Sequence, residues 1–426
     1  MPTRGVLRRS VRRAAVAVTA TCAAVALLAG PTETSGPADA EPPNLTAVPP
    51  QLPADVDGLI PAPPVAKLSR IPERSRIPGA SRELQELREA IMPSPSGDRF
   101  FDHWPAGLAA RTPGEVLTTR SVTRVAQPLV FVPLRSARQV KFRTTDANGA
   151  PMFGTATLLV PAKAWTGRGD RPVLVNNSPI VALGTKCTTG FTYAHGFTNN
   201  TNETDLIPPF TQLALDRGYA VLVPDHQGPR MAYAEPVLAG HVILDAVRAA
   251  LHVRPELLRR SRIAMTGYSG GAIATHGAAK LLGEYAPELT DRVVGAGLGG
   301  VPADFRMLVG SMNANLATGL FHAATVGIAR ERPEILALTN RPARWLASSP
   351  LKNVCVIPEA VAGGTFLPMQ LLSSDPDPFR SPTAERIYRL TAMAYRASVI
   401  PLLIYHGTHE WWIPAAGARA LYREQC

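Results

Sequence analysis

A serine between glycines, in the sequence Gly267-Tyr268-Ser269-Gly270-Gly271, is the residue best suited to covalent chemistry in this chain. An apolar segment that predicts a strand precedes it, and a segment rich in small residues that predicts a helix follows it. In such a nucleophile elbow the serine has a strained backbone, and the flanking glycines let neighbouring backbone approach closely. The N–H of Gly270, at the start of the helix, would face a developing oxyanion. The pattern predicts an acyl-transfer nucleophile at Ser269; the alternative is a glycine-rich turn without chemistry.

A second polar loop, Asp225-His226-Gln227-Gly228, follows the apolar segment Ala220–Val223. If that segment is a buried parallel strand, it delivers the loop to the same edge of the sheet as the elbow, since ligands of such sheets bind at the carboxyl ends of the strands. The carboxyl group of Asp225 is therefore a candidate site residue. The alternative is a carboxylate that caps a helix or stabilises a turn.

The rest of the sequence indicates the elements that must hold these two loops. Alternating segments at 139–145 and 154–161 flank Asn148-Gly149, which is a strong signal for a β-hairpin. Strands and helices then alternate, which predicts the α/β class with a mostly parallel sheet covered by helices on both faces. We expect strands at 172–175, 220–223, 262–266, 292–298 and 399–405, and helices at 81–92, 207–217, 241–251, 273–282 and 415–424.

Composition changes along the chain predict its domain organisation. Residues 1–40 combine basic residues, an apolar stretch and the small-x-small sequence Ala38-Asp39-Ala40, which predict a signal peptide. An uncleaved membrane anchor is the alternative. Residues 41–80 are rich in proline and predict an N-terminal arm. The core is expected at 81–301 and 396–426, and residues 302–395, where the alternation fails, predict a cap or lid inserted over the active-site end of the sheet.

The bulk composition excludes several classes of protein. A hydrophobic content of 46% and a charged content of 18% are typical of a folded globular chain. The leader contributes +3 of the formal net charge of +11, and the remainder contains neither a Lys/Arg-rich run nor a nucleic-acid-binding motif, so no nucleic-acid partner is expected. The metal and nucleotide motifs HExxH, CxxC and the P-loop are absent, and neither a metal nor a cofactor is expected. Cys22 leaves with the leader, and the three remaining cysteines are an odd number for an exported protein.

The chain resembles the secretory lipase family, the yeast lipase A-like enzymes of fungi and actinobacteria with the α/β-hydrolase fold. The similar segments are the Asp225 loop, Pro113-Gly114, Leu159-Val160-Pro161, Gly184-Thr185-Lys186-Cys187, Tyr285-Ala286-Pro287-Glu288-Leu289 and Glu424-Gln425-Cys426. The resemblance implies a secreted lipase or esterase that acts on lipid or small esters and contacts lipid aggregates; it leaves the oligomeric state open. It also implies an oxyanion hole of Asp225 and Gly270, a disulfide between Cys187 and Cys355, and a partner for Cys426 further downstream.

The resemblance places the triad acid in the loop after the last strand. Aligning His406 and Pro414 with the family brings Glu410 to the position where the family has aspartate. Glutamate can orient an imidazole as aspartate does, with one more methylene of reach. Asp304, which follows the preceding strand, is the competing candidate.

The sequence does not contain a histidine where this fold needs its general base. The triad order is serine, acid, histidine, and no histidine follows His409. Loss of a triad member leaves on the order of 10³–10⁴ of acceleration over water. His409 and His226 are weak substitutes, whereas His406 is expected to fix the strand end and His276 to pack inside the elbow helix. No catalytic histidine is identified.

Three hypotheses remain open. The family's histidine and the partner of Cys426 would both lie beyond residue 426, so the first hypothesis is an active lipase of which this sequence is a C-terminally truncated part. The second is a genuine short form that is catalytically impaired and binds lipid or envelope material. The third is an esterase or acyltransferase for small acyl groups.

Overall fold

The computed structural model describes residues 48–49, 51–179, 181–198 and 209–426. The predicted signal peptide at 1–40, with Cys22, lies outside the described residues, as do the first residues of the predicted arm and of the helix predicted at 207–217. Within the described ranges the chain follows the predicted alternation of strands and helices.

Eight strands of the described chain form one mixed sheet: β1 (Val116–Ser121), β2 (Leu134–Thr145), β3 (Pro151–Pro161), β4 (Val173–Asn177), β5 (Ala220–Pro224), β6 (Ile263–Tyr268), β7 (Val293–Gly299) and β8 (Leu402–Tyr405). Their order across the sheet is β1-β2-β3-β5-β4-β6-β7-β8. The first three strands pair antiparallel and β3 pairs antiparallel with β5, whereas β5, β4, β6, β7 and β8 run parallel. The carboxyl ends of the parallel strands therefore meet at one edge, and the prediction of a mostly parallel sheet is confirmed.

The predicted hairpin joins β2 to β3 and is longer than its alternating pattern suggested. The strands pair from Thr145↔Pro151 to Leu134↔Pro161. Gly149 takes a φ of +86°, which glycine tolerates, and Asp146 Oδ1 accepts hydrogen bonds from the N–H groups of Asn148 (2.9 Å) and Ala150 (2.8 Å).

The helices of the described chain are α1 (Leu52–Leu59), α2 (Arg82–Ile91), α3 (Arg99–Asp102), α4 (Thr123–Ala126), α5 (Thr189–His195), α6 (Phe210–Asp216), α7 (Pro236–Val253), α8 (Pro255–Leu258), α9 (Gly270–Tyr285), α10 (Phe305–Met312), α11 (Thr318–Glu331), α12 (Arg341–Ser348), α13 (Val356–Ala362), α14 (Pro382–Ala392) and α15 (Ala415–Gln425). Within the described ranges α7 alone has the length and hydropathy of a membrane span, and most of it is buried in the core. It is therefore explained as a core helix.

Both faces of the sheet are buried. In β5, Leu222 belongs to one hydrophobic cluster while its neighbours Val221 and Val223 belong to another, because successive strand residues point to opposite faces. The first cluster includes the interior of α7 and α9. These two helices cross closely at Gly240 and Gly277; a Cβ at Gly277 would lie 2.0 Å from the Pro236 carbonyl oxygen. The second cluster includes Leu215 of α6, so helices cover both faces, as predicted.

Residues 302–395 lie between β7 and β8 and contain α10 to α14, and we call them the helical segment. They have a hydrophobic cluster of their own, which includes Leu308, Leu320 and Ile387 and also contacts Ile273 of α9. Arg330 fixes the segment to the core: its fully buried guanidinium donates to the backbone carbonyls of Ile91, Leu183, Arg230, Met231 and Lys352.

The described part of the predicted N-terminal arm packs on the helical segment. The Trp345 indole N–H donates to the Pro61 carbonyl at 2.8 Å, and the Arg341 N–H donates to Asp57 Oδ1 at 2.6 Å. These contacts join α1 and the chain after it to α12.

Candidate active site

Ser269 lies on the sharp turn between β6 and α9. Its φ of 54° and ψ of −120° are in a region that side chains rarely adopt, so the turn stores strain. A Cβ added at Gly267 would lie 2.1 Å from the Gly271 carbonyl oxygen, and one added at Gly271 would lie 2.1 Å from the Asn177 carbonyl oxygen. The two glycines therefore permit the turn and its contact with the end of β4.

The reactive groups of this turn have no partners in the described chain. No hydrogen bond to the Ser269 hydroxyl is present, and the Gly270 N–H lacks an acceptor among the described residues, whereas the Ser269 N–H donates to the Gly299 carbonyl at 2.9 Å. The Gly270 N–H stands at the N-terminus of the 16-residue helix α9, where the helix dipole favours negative charge. It can therefore stabilise an oxyanion formed at Ser269.

An apolar cavity of about 160 Å³ begins at Ser269. Its walls come mainly from the helical segment, with further residues from the chain after β8. The lining includes Phe305, Leu308, Leu320, Phe321, Ile387, Trp412 and Ile413. Such a cavity can hold a hydrocarbon chain next to the serine.

Asp225 is buried at the carboxyl end of β5, and both its carboxylate oxygens accept hydrogen bonds. The Thr155 hydroxyl donates to Oδ2 at 2.6 Å and the Gly190 N–H donates to Oδ1 at 2.8 Å. Its own N–H donates to the Thr155 carbonyl and is not available to a substrate. Burial raises the pKa of Asp225 to about 6, although the bonds from Thr155 and Gly190 lower it. In its protonated form the carboxyl group has one O–H to donate.

The Asp225 loop is joined to the elbow through the end of β4. His226 Nε2 lies 2.9 Å from the Ser178 carbonyl oxygen, and burial lowers the pKa of His226 to about 4, so its ring is neutral at pH 7. The same Ser178 carbonyl oxygen would lie 2.7 Å from a Cβ at Gly271. One backbone segment thus contacts both predicted site loops.

The two candidate acids have different environments. Glu410 Oε1 accepts the Trp412 N–H at 2.9 Å. Burial raises the pKa of Tyr268, and the charge of Glu410 raises it further, so Glu410 lies near the residue that precedes Ser269. Asp304 instead caps α10, because its Oδ1 accepts the Arg306 N–H at 2.9 Å. Each carboxylate thus accepts a backbone N–H two residues along the chain, and Glu410 stays the predicted acid with Asp304 as its alternative.

All nine histidines are described, and none lines the cavity at Ser269 or hydrogen-bonds its hydroxyl. His409 is exposed and lies 3.2 Å from the Thr408 hydroxyl. His406 Nε2 lies 2.8 Å from the Ile413 carbonyl oxygen and fixes the loop after β8, as predicted. Burial lowers the pKa of His276 to about 3 inside α9. None of the nine histidines therefore stands at the Ser269 hydroxyl as a general base would.

The structure contains the disulfide between Cys187 and Cys355 that the family resemblance implies. It joins the chain after β4 to the start of α13, next to an isolated bridge between Ala182 and Cys355. Cys426 is a free, exposed thiol. Within the described residues no group of His, Cys, Asp and Glu could hold a metal ion.

Sequence reasoning did not identify the partners of Asp225. Thr155 lies in the hairpin, 70 residues away from it in sequence, and Gly190 lies near the start of α5, 35 residues away. Neither belongs to a motif. Only the pairing of β3 with β5 brings Thr155 to the carboxylate.

Comparison with known proteins places these features in a family. The family model described as secretory lipase matches residues 195–426. Lipase 4 of Candida albicans is 28% identical over 357 residues, covering 79% of this chain and 75% of that protein. A Mycobacterium tuberculosis protein described as a probable inactive lipase is 30% identical over 348 residues, covering 79% and 76%.

Solved structures show the same fold. Candida antarctica lipase A superposes with a TM-score of 0.68 at 24% identity, over 79% of each chain. A rice cell wall degrading esterase from Xanthomonas oryzae gives a TM-score of 0.57 at 16% identity, over 74% of this chain and 88% of that one. The architecture is therefore that of the α/β-hydrolases, and the chain belongs to the secretory lipase family.

Proposed function

We propose that this chain is an exported serine ester hydrolase that cleaves carboxylic esters of lipids through an acyl intermediate on Ser269. The observation that carries the proposal is the unpartnered hydroxyl of Ser269, held on a strained strand-to-helix turn at the start of an apolar cavity. Two relatives support the substrate class: one is a lipase of Candida albicans and the other a secreted triacylglycerol lipase of Malassezia globosa.

The reaction begins when Ser269 Oγ attacks the ester carbonyl carbon and its proton passes to a base. The carbonyl oxygen becomes an oxyanion that accepts the Gly270 N–H and, where Asp225 is protonated, its carboxyl O–H. Collapse of this intermediate releases the alcohol, which takes up a proton. Water then attacks the acyl carbon and releases the carboxylic acid and free Ser269.

The proposed role of Glu410 is to orient the base. Within the 426 residues no histidine stands at the hydroxyl, so proton removal must rely on water. We expect slow acylation, supported by the oxyanion donors and substrate binding alone, which typically supply on the order of 10³–10⁴ over water.

The helical segment is proposed to act as a cap over the elbow. Its apolar residues form most of the cavity that begins at Ser269, so the acyl chain of a substrate would lie beneath α10, α11 and α14. Export follows from the predicted signal peptide.

The test is the hydrolysis of p-nitrophenyl esters of increasing acyl length by the purified chain. We expect slow turnover that Ser269→Ala abolishes. Added imidazole should accelerate the wild-type chain beyond the rate of Ser269→Ala at the same imidazole concentration, because a soluble base can take the serine proton. Turnover that persists in Ser269→Ala without imidazole contradicts the proposal. Rates that peak at short acids would favour the small-acyl esterase or acyltransferase.

The second candidate function is lipid binding by a catalytically impaired homologue. The specific observation in its favour is that none of the nine histidines reaches Ser269. This candidate predicts saturable binding of a long-chain ester with no product and no effect of imidazole.

A further inference from the structure

A second cavity, of about 240 Å³, lies in the helical segment, and Ser269 is not part of its lining. Thr325, Ile335, Thr339, Met369 and Leu372 form a wall that it shares with the Ser269 cavity. Most of its other lining is aliphatic, from α11, α12 and the chain around α13. The lining also contains the polar residues Glu359 and His322, three threonines, and Lys352, whose ammonium group donates to the Ala90 carbonyl at 2.8 Å.

Glu359 is a carboxyl group without a hydrogen-bond partner. Its side chain lines the cavity, the residue is only 4% exposed, and neither carboxyl oxygen has a partner. Arg330 lies close enough to act on its charge, but the guanidinium donates to backbone carbonyls and not to Glu359. Burial raises the pKa of Glu359 well above its usual range. Burial thus favours the neutral form of this group, which has one O–H to donate and one oxygen to accept.

His322 lines the same cavity, and its Nε2 also has no partner. Burial lowers the pKa of His322 to about 4, so the ring is neutral at pH 7. Gly319, one turn earlier on α11, packs directly on the Glu359 backbone; a Cβ there would lie 1.9 Å from the Glu359 carbonyl oxygen. His322 follows one turn later on α11, and both His322 and Glu359 line this cavity.

We infer that this cavity binds the chain of a lipid alcohol, whose hydroxyl group is held by Glu359 and His322. A hydroxyl both donates and accepts, and therefore satisfies a neutral acid and either tautomer of a neutral imidazole. An ether or ester oxygen only accepts, and a hydrocarbon leaves both protein groups unpaired.

The volume of the cavity limits the length of the alkyl chain that it can bind. A cavity of about 150 Å³ holds a six-carbon benzene ring, so about 240 Å³ holds roughly ten carbons. Leu346 and Leu351 line the cavity and are 38% and 48% exposed, so it opens to the surface between apolar side chains. A lipid alcohol can thus enter without passing Ser269.

The experiment compares 1-decanol with methyl nonyl ether, which has the same number of heavy atoms but no O–H, by isothermal titration calorimetry on the full chain. We expect the alcohol to bind at least about tenfold more tightly, because the ether leaves buried donors or acceptors unpaired. Equal affinities for the two probes would overturn the inference.

Substitutions of the two polar residues test whether they cause the preference for the alcohol over the ether. Glu359→Leu and His322→Phe should each reduce the preference for the alcohol, and the double variant should abolish it, whereas Glu359→Gln keeps a donor and an acceptor and should retain most of it. The matched control Ala384→Phe narrows only the Ser269 cavity and should leave the preference intact. A preference lost in Ala384→Phe, or kept in the double variant, would contradict the assignment.

Two controls separate loss of the alcohol site from misfolding and from loss of ester hydrolysis. Circular dichroism and thermal unfolding check that each variant folds; Glu359→Leu removes a buried unpartnered carboxyl group and should not lower Tm. Ser269→Ala should lose ester turnover and keep the alcohol preference. Failure of the alcohol site is thereby distinguished from failure of the proposed hydrolase activity.

Discussion

Replacement of Asp225 by asparagine should change how the stability of the protein depends on pH. The carboxyl group is 7% exposed, and burial raises its pKa from 3.8 to about 6 in the folded protein. Asparagine keeps the acceptor for the Gly190 N–H, and the Thr155 hydroxyl can turn to accept from the new amide. The substitution therefore removes the titration while keeping the hydrogen bonds.

The sign and size of the effect follow from the pKa. The folded chain binds this proton more tightly than the unfolded chain, so Asp225 contributes stability that is fully present below about pH 4 and is lost as pH rises to about 6. A rise of the pKa from 3.8 to about 6 corresponds to about 3 kcal/mol. The free energy of unfolding of Asp225→Asn, taken relative to that of wild type, should therefore rise by about 3 kcal/mol as the pH increases from 4 to 7.

Urea unfolding of both proteins at several pH values between 4 and 8 measures this difference. The other titrating groups contribute equally to both proteins, so their contributions cancel when the two free energies of unfolding are subtracted. Asp98→Asn is a control whose difference from wild type should stay nearly constant across this range, because hydrogen bonds from Arg120 and His195 outweigh burial and lower the pKa of Asp98 to about 2, so that its titration lies below pH 4. A difference between Asp225→Asn and wild type that stays constant across this range would show that Asp225 titrates as an exposed carboxylate and would refute the reasoning.

Three other predictions concern the framework of the site. Arg330→Met should lower the free energy of unfolding by about 3–5 kcal/mol, measured in urea, because it removes a buried cation from five backbone carbonyls; an unchanged midpoint would contradict the anchoring role. Replacing both Cys187 and Cys355 by alanine should lower it by about 2–5 kcal/mol, since the bond closes a separation of 168 residues, and reduction of the variant should then have no further effect. Gly271→Ala should lower the free energy of unfolding by about 1–3 kcal/mol and slow the labelling of Ser269 by a fluorophosphonate, because the new Cβ would meet the Asn177 carbonyl. Gly364→Ala is the control, since a Cβ at that position has open space around it. Equal labelling rates for the two variants would count against the elbow geometry.

The sequence was sufficient for the elements with strong local patterns. The Asn148-Gly149 hairpin, the parallel strands and the elbow around Ser269 all follow from spacing that a single chain displays. The amphipathic pattern predicts a helix that begins at His241, whereas α7 begins at Pro236. The pattern does not reveal the first turns of α7, because these are buried on all sides and have no polar face.

The environment of the site could not be read in the same way, because it depends on contacts distant in sequence. Thr155 reaches Asp225 only through strand pairing, and Arg330 binds carbonyls from four separate parts of the chain. Glu359 belongs to no sequence motif, and only the folded structure places it against Gly319 in a cavity wall. The roles of Glu410 and of the helical segment stay predictions.

Intact-protein mass spectrometry after incubation with p-nitrophenyl acetate tests the central claim most directly. We predict the addition of one acetyl group per chain, located in the peptide that contains Ser269 and absent from Ser269→Ala. Acetylation at other residues only, or ester hydrolysis by Ser269→Ala at the wild-type rate, would contradict the assignment of Ser269 as the nucleophile.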